Sequence, residues 1–261
     1  MSLFFRKYGH GKPLIILHGL FGQSDNWGTL AKRYSEEGLQ VYAVDQRNHG
    51  LSFWSEEWNY TVMAKDLATL IASENIAKPI LLGHSMGGKT VMHFDLLNPN
   101  AAEKIIVADI SPRMYMPHHT QVLEALLSIS LTQIKTRGEA EQQLMAYGLD
   151  FGTQQFLLKN LYRITEEHPD FGKQIFSWRF NLAVISRQIQ QVNEGIPKGT
   201  SETPALFLRG SKSDYITESD RNLIQSIFHH VTIDEISGAG HWLHAEKPQE
   251  FFRRTLDFIK F

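Results

Sequence analysis

One serine in this chain lies in a setting suited to nucleophilic chemistry. Ser85 lies in Gly83-His84-Ser85-Met86-Gly87, between an apolar run and a helical pattern. A serine hydroxyl is a poor nucleophile until a neighbouring base takes its proton. Glycines two positions before and two after would relieve crowding in a sharp strand-to-helix turn that projects the hydroxyl clear of its surroundings. A base is available in His241, within the glycine-rich Gly238-Ala239-Gly240-His241-Trp242. Imidazole exchanges protons near neutral pH, as that task requires. Attack on an acyl carbon also needs donors aimed at the developing oxyanion. The backbone N–H of Met86 is one candidate. The other is Leu20, in His18-Gly19-Leu20-Phe21-Gly22, where Gly19 lets the backbone approach closely.

The remaining histidines read differently. His18 reads as a residue that holds its loop. His118-His119 and His229-His230 fall near predicted helix ends and read as surface residues, and His244 lies outside the glycine loop. No H-E-x-x-H or similar metal-ligand spacing is present, so no metal site is expected.

The base needs a carboxylate to fix its tautomer and stabilise the imidazolium. Asp109 and Asp214 compete, and both satisfy the chain order serine, acid, histidine. Asp109 directly follows an apolar strand pattern in Ala108-Asp109-Ile110-Ser111-Pro112. Asp214 arrives four residues after Gly210, one later than the usual spacing of glycine, two residues, aspartate. The offset favours Asp109 and leaves Asp214 as the alternative acid.

These residues need a scaffold that brings them to one edge. Strand patterns cover Leu14 to Leu17, Val41 to Val44, Ile80 to Leu82, Ile105 to Ala108, Ala205 to Leu208 and Val231 to Ile236, with Phe4 to Tyr8 as an antiparallel edge candidate. Most are apolar throughout, as strands buried on both faces are. Helical patterns alternate with them. Met63, Leu67 and Leu70 form one stripe, flanked by Val62 and Ile71; Phe252, Leu256 and Ile259 form another, after Pro248. Alternation of this kind predicts a mostly parallel sheet with helices on both faces. The reactive residues then follow strand ends, where open parallel sheets bind ligands.

The rhythm breaks between Ser111 and Thr203. No strand pattern stands out there, and helical patterns such as Val122/Leu123/Leu126/Leu127 and Leu182/Ile185/Ile189/Val192 take over. This predicts a helical cap at 111–203 inserted into a core of 1–110 and 204–261. Met114, Tyr115, Met116, Phe151, Phe156, Phe176, Trp178 and Phe180 are the aromatic and methionine candidates for an acyl pocket under it.

Bulk properties narrow the class. The 261 residues carry a formal net charge of -2 and no cysteine. The charge argues against a nucleic-acid partner, which calls for a basic excess. Without cysteine there is no disulfide, Cys-metal site or thiol catalysis. The N-terminal segment lacks the order of a signal peptide, and no apolar run reaches the ~18 residues of a membrane span. The expectation is a cytoplasmic protein with no membrane span.

The motifs together resemble the α/β-hydrolase superfamily over essentially the whole chain. The resemblance rests on His18-Gly-Leu-Phe-Gly, Asp45-Gln-Arg-Asn-His-Gly-Leu-Ser, Gly83-His-Ser-Met-Gly-Gly-Lys, Asp109-Ile-Ser-Pro and Ala239-Gly-His-Trp-Leu-His-Ala-Glu-Lys-Pro. It implies an α/β-hydrolase fold and hydrolysis of carboxylic esters or acyl thioesters of the acyl-CoA type through an acyl-serine, with no cofactor. It also implies Asp109 as the acid, and Asp45 and Arg47 as structural residues. The same fold and triad host C–C bond hydrolases, lyases and perhydrolases, which stay open as alternatives. A non-catalytic, ligand-binding relative is the alternative of another class. The partner expected in either case is a small molecule.

Overall fold

A computed structural model describes residues 2–260. The outer bounds of the expected core, Met1 and Phe261, lie outside the described residues. The chain opens with β1 (Phe5–Tyr8), β2 (Lys12–Leu17), α1 (Gly28–Glu36), β3 (Leu39–Val44), α2 (Tyr60–Ser73), β4 (Ile80–His84), α3 (Met86–Leu97) and β5 (Lys104–Ala108). An inserted segment follows, with α4 (Thr120–Ser128), α5 (Arg137–Ala146), α6 (Phe151–Leu158), β6 (Leu161–Arg163), β7 (Phe176–Trp178), α7 (Leu182–Gln188) and α8 (Gln190–Asn193). The core resumes at β8 (Ala205–Gly210), α9 (Arg221–Ile227), β9 (Val231–Ile236), α10 (Leu243–Glu246) and α11 (Pro248–Lys260).

The main sheet has the order β1-β3-β2-β4-β5-β8-β9. All neighbours run parallel except β1, which pairs antiparallel with β3 at the edge. The fold is thus the α/β-hydrolase fold that the motifs led one to expect. The two-residue strand period sorts side chains onto two faces. Ile15, Leu17, Leu81, Ile105, Val107 and Phe207 pack against α2, α3 and α9. Leu14, Ile16, Ile80, Leu82, Ile106 and Leu208 pack against α1 and α11. Both faces are dry, which explains the continuous apolar runs.

Two sequence readings differ from the structure. The inserted segment is not wholly helical, since β6 and β7 pair antiparallel with Leu161 opposite Trp178. Three-residue strands are too short to establish an alternation, so the pattern could not announce them. The stripe of α11 is also rotated: Phe251, Thr255 and Ile259 are buried, and Phe252 and Leu256 are half-buried. Thr255 passes as polar in a sequence, yet its hydroxyl reaches the Phe251 carbonyl and the buried Tyr34 hydroxyl. Among the described residues no helix is long and apolar enough to cross a membrane.

Candidate active site

Strand β4 ends at His84, and α3 begins at Met86, so the chain turns within one residue. Ser85 takes φ 51° and ψ -117°. Such a conformation costs a non-glycine residue about 1–3 kcal/mol and persists only where the surroundings hold it. Here the Ser85 N–H donates to the Ala108 carbonyl (2.9 Å), and its own carbonyl accepts from the Lys89 N–H (3.0 Å). The turn also needs room. A Cβ on Gly83 would stand 2.2 Å from the Gly87 carbonyl oxygen, and one on Gly87 would stand 2.4 Å from the Leu17 carbonyl oxygen.

His241 follows β9 on the same sheet edge. Its Nδ1 donates to Asp109 Oδ2 (2.7 Å), leaving Nε2 to accept from the Ser85 hydroxyl (3.0 Å). Asp109 follows β5, also at positive φ, and is 0% exposed. Its two oxygens accept from three donors. The Gly210 N–H reaches Oδ1 (2.9 Å), and the Ser213 hydroxyl joins His241 at Oδ2. Asp214 is exposed, and its backbone carbonyl accepts from Arg113 (3.3 Å). The structure therefore brings Ser85, His241 and Asp109 into one hydrogen-bonded chain and leaves Asp214 outside it.

Two ring neighbours also hold His241. Tyr215 stacks on its imidazole at 3.8 Å and 17°. His84 Nε2 donates to the His241 carbonyl (2.8 Å), with the rings 4.8 Å apart. Burial and the neighbouring rings of His244 and His241 hold the pKa of His84 well below its ordinary value. A neutral His84 can support the base without repelling an imidazolium.

The loop of Leu20 is held by residues that read as structural. His18 donates through Nδ1 to the Gly19 carbonyl (2.8 Å) and accepts at Nε2 from the Gln46 N–H (3.0 Å). Burial lowers its pKa to about 4, so it stays neutral and can accept. Gln46 donates back to the His18 carbonyl (2.7 Å) and accepts from Thr90 of α3 (2.8 Å). The loop and the nucleophile helix are thereby tied together. Asp45 accepts from the N–H groups of Ser24 (2.5 Å) and Leu51 (2.8 Å), and Arg47 pairs with Asp66 (2.5 and 2.8 Å). His49, not singled out from the sequence, accepts from the Phe21 N–H (3.2 Å) and supports the same loop.

A cavity of about 210 Å³ opens over Ser85 and His241. Its walls come from the core loops, through Leu20, Phe21 and Trp27, and from the inserted segment, through Val122, Phe156 and Leu157. Of the eight aromatic and methionine candidates, Phe156 alone lines it. Trp178 and Phe180 stack on each other (5.1 Å) in the apolar cluster where the insert meets core residues such as Phe21 and Met86, while Met114, Met116 and Phe151 are exposed. An amphipathic helix spends most of its large side chains on the face it buries, here against the core and its own neighbours.

Of the four histidines read as surface residues, His118, which is exposed, and His119 also line the cavity. His118 accepts at Nε2 from the Tyr215 hydroxyl (2.6 Å), with Nδ1 donating to the Met116 carbonyl (2.8 Å). His119 is half-buried, and burial followed by the charge of His118 lowers its pKa to about 3. His244 lines it too, stacked on Trp27 at 4.3 Å. Nothing in the sequence spacing signals these positions, because the partners of His118 and His244, Tyr215 and Trp27, come from distant elements. His229 and His230 do lie at the surface, beside Glu202.

Comparison with known proteins agrees with this architecture. A family model described as "Alpha/beta hydrolase family" matches residues 14–254. The chain is 35% identical to the esterase YbfF of Escherichia coli (strain K12), over 96% of this chain and 94% of that protein. It is 37% identical to the sn-1-specific diacylglycerol lipase ABHD11 of Danio rerio, over 97% of this chain and 80% of that one. Among solved structures, a marine microorganism esterase superposes with a TM-score of 0.93 at 42% identity, each chain covered to 99%. With its fold, its nucleophile turn and relatives of esterase and lipase type, the chain belongs to the alpha/beta hydrolase family.

Proposed function

We propose that the protein is a serine esterase acting through an acyl-serine intermediate, with Ser85 as nucleophile, His241 as general base and Asp109 as the triad acid. The observation that supports it most is the unbroken chain from Ser85 Oγ through His241 to Asp109, with the imidazole in the tautomer that leaves Nε2 free to accept a proton. In the first half-reaction Ser85 Oγ attacks the ester carbonyl carbon while its proton passes to His241 Nε2. The oxyanion is held by the N–H groups of Met86 and Leu20, neither of which donates to a group among the described residues. The C–O bond then breaks, the leaving alkoxide takes the proton from His241, and the acyl-enzyme remains. Water repeats the cycle, giving its proton to His241 and releasing the acid.

Residues 111–203 serve as the cap over the core of 1–110 and 204–261. The cavity wall they supply includes the apolar Val122, Phe156 and Leu157, which suits an acyl chain. Carboxylic esters are the primary substrates, and acyl thioesters of the coenzyme A type are the second class to test. The relatives named esterase and lipase support the ester.

A fluorophosphonate probe followed by a panel of nitrophenyl esters tests the assignment. The expected result is stoichiometric labelling of Ser85, ester turnover, and loss of both in Ser85→Ala. Absence of labelling in the folded wild-type protein would sink the proposal and favour a ligand-binding relative.

A further inference from the structure

Lys89 lies one turn after Ser85 on α3 and is 0% exposed. An ammonium is costly to bury unless its three protons find acceptors, and a cation is disfavoured near a helix N-terminus. Lys89 has both handicaps. Its Nζ donates to the carbonyls of Arg113 (2.5 Å), Glu194 (2.8 Å) and Pro112 (3.2 Å), which matches its three donors to three acceptors. The Tyr115 ring lies 5.3 Å from Nζ.

Those carbonyls are not a random set. Pro112 and Arg113 lie where the chain leaves the core after β5, and Glu194 lies where α8 ends and the chain turns back. The two crossing segments are also bonded to each other, through Tyr115 N–H to the Asn193 carbonyl (2.8 Å) and Ile196 N–H to the Pro112 carbonyl (3.0 Å). They form one joint, and Lys89 is the side chain beneath it. The backbone N–H of the same residue holds the Ser85 carbonyl (3.0 Å).

We propose that Lys89 is a positioning residue that pins both crossings of the inserted segment to the nucleophile helix, and so sets the seating of the cavity wall over Ser85. Burial pulls the Lys89 ammonium down to about 7, with Arg113 acting in the same direction and Glu194 and Asp220 opposing it. That cost is unrewarded unless the joint is what the ammonium serves. The kinetic consequence rests on the esterase reading above; the structural one does not.

The test is Lys89→Met, which keeps the chain and removes all three donors. Hydrogen exchange by mass spectrometry is read on the wild type and the variant without substrate. Amides of 113–116 and 193–196 should exchange about tenfold faster or more, with β4, β5 and the far half of α3 unchanged. In parallel, KM for a nitrophenyl octanoate should rise about fivefold relative to the acetate, with kcat on the acetate within about twofold of wild type. Unchanged exchange at both crossings would overturn the proposal, as would a uniform rise over the whole core. Should Lys89→Met fail to fold, Lys89→Gln keeps an N–H donor and is read by the same criteria. Failure of both to fold would also overturn it, because Lys89 would then serve the core and not the joint. If the wild type turns over no ester, the esterase reading fails while the exchange result still decides for or against the pin.

Discussion

At the scale of single residues, the third place after Gly210 is the informative one. A carboxylate there would reach the histidine from β8; this chain has Ser213, whose hydroxyl donates to Asp109. On the proposed assignment the acid comes from β5, the strand beside β8, and a donor to it occupies the third place after Gly210. Asp214, one residue further on, turns to solvent. Asp109→Asn is therefore expected to cut kcat by roughly three to four orders of magnitude, because an amide cannot enforce the tautomer that leaves Nε2 basic. Asp214→Asn should stay within about twofold of wild type, as exposed polar substitutions usually do. Steady-state rates on one nitrophenyl ester, with circular dichroism as the fold control, check both. The reverse pattern would move the acid to Asp214.

At the scale of elements, the close approach of α3 to the end of β2 brings the nucleophile turn beside the Leu20 loop. Gly87 makes that approach possible, since any Cβ would stand 2.4 Å from the Leu17 carbonyl and 2.7 Å from that of His18. Neither carbonyl can yield, because both belong to backbone at the sheet edge. Gly87→Ala should destabilise the fold by about 1–3 kcal/mol through overpacking and lower activity by separating the two N–H donors. Gly138, in α5, gives the contrast: its nearest neighbour to an added Cβ is Thr136 Oγ1 at 3.9 Å. Gly138→Ala should be stabilising by up to about 1 kcal/mol and leave activity unchanged. Thermal unfolding of the two variants measures both signs. These differences were legible in part. The glycines around Ser85 announce a tight turn, but only packing separates Gly87 from a glycine that tolerates a methyl group.

At the scale of the whole molecule, a set of buried neutral histidines ties stability to pH. Burial lowers His18 to about 4 and His49 and His244 to about 3, and holds His84 well below its ordinary value. In the unfolded chain each titrates near 6.5. Between those values the unfolded state binds protons that the native state refuses. The stability these residues allow is therefore present above about pH 6.5 and is lost as pH falls toward 4. The urea midpoint should drop steeply between pH 7 and about 5. In His49→Gln, whose amide can still accept from Phe21, the drop should be shallower. A midpoint independent of pH over that range would refute the account.

From sequence alone, the local geometry of Ser85, the alternating sheet and helices, the two dry faces of the core and the placing of reactive residues past strand ends were all determined. Each depends on neighbours within a few residues or on a short period, and both are written along the chain. The tertiary structure alone brought Asp109 and not Asp214 within hydrogen-bond reach of His241, placed Ser213 on Asp109, gathered His118, His119 and His244 around the cavity, and put Lys89 under the joint of the insert. Those outcomes join residues about twenty to over two hundred positions apart. A separation of that kind has no signature in spacing, because the sheet order and the path of the insert set which ends meet.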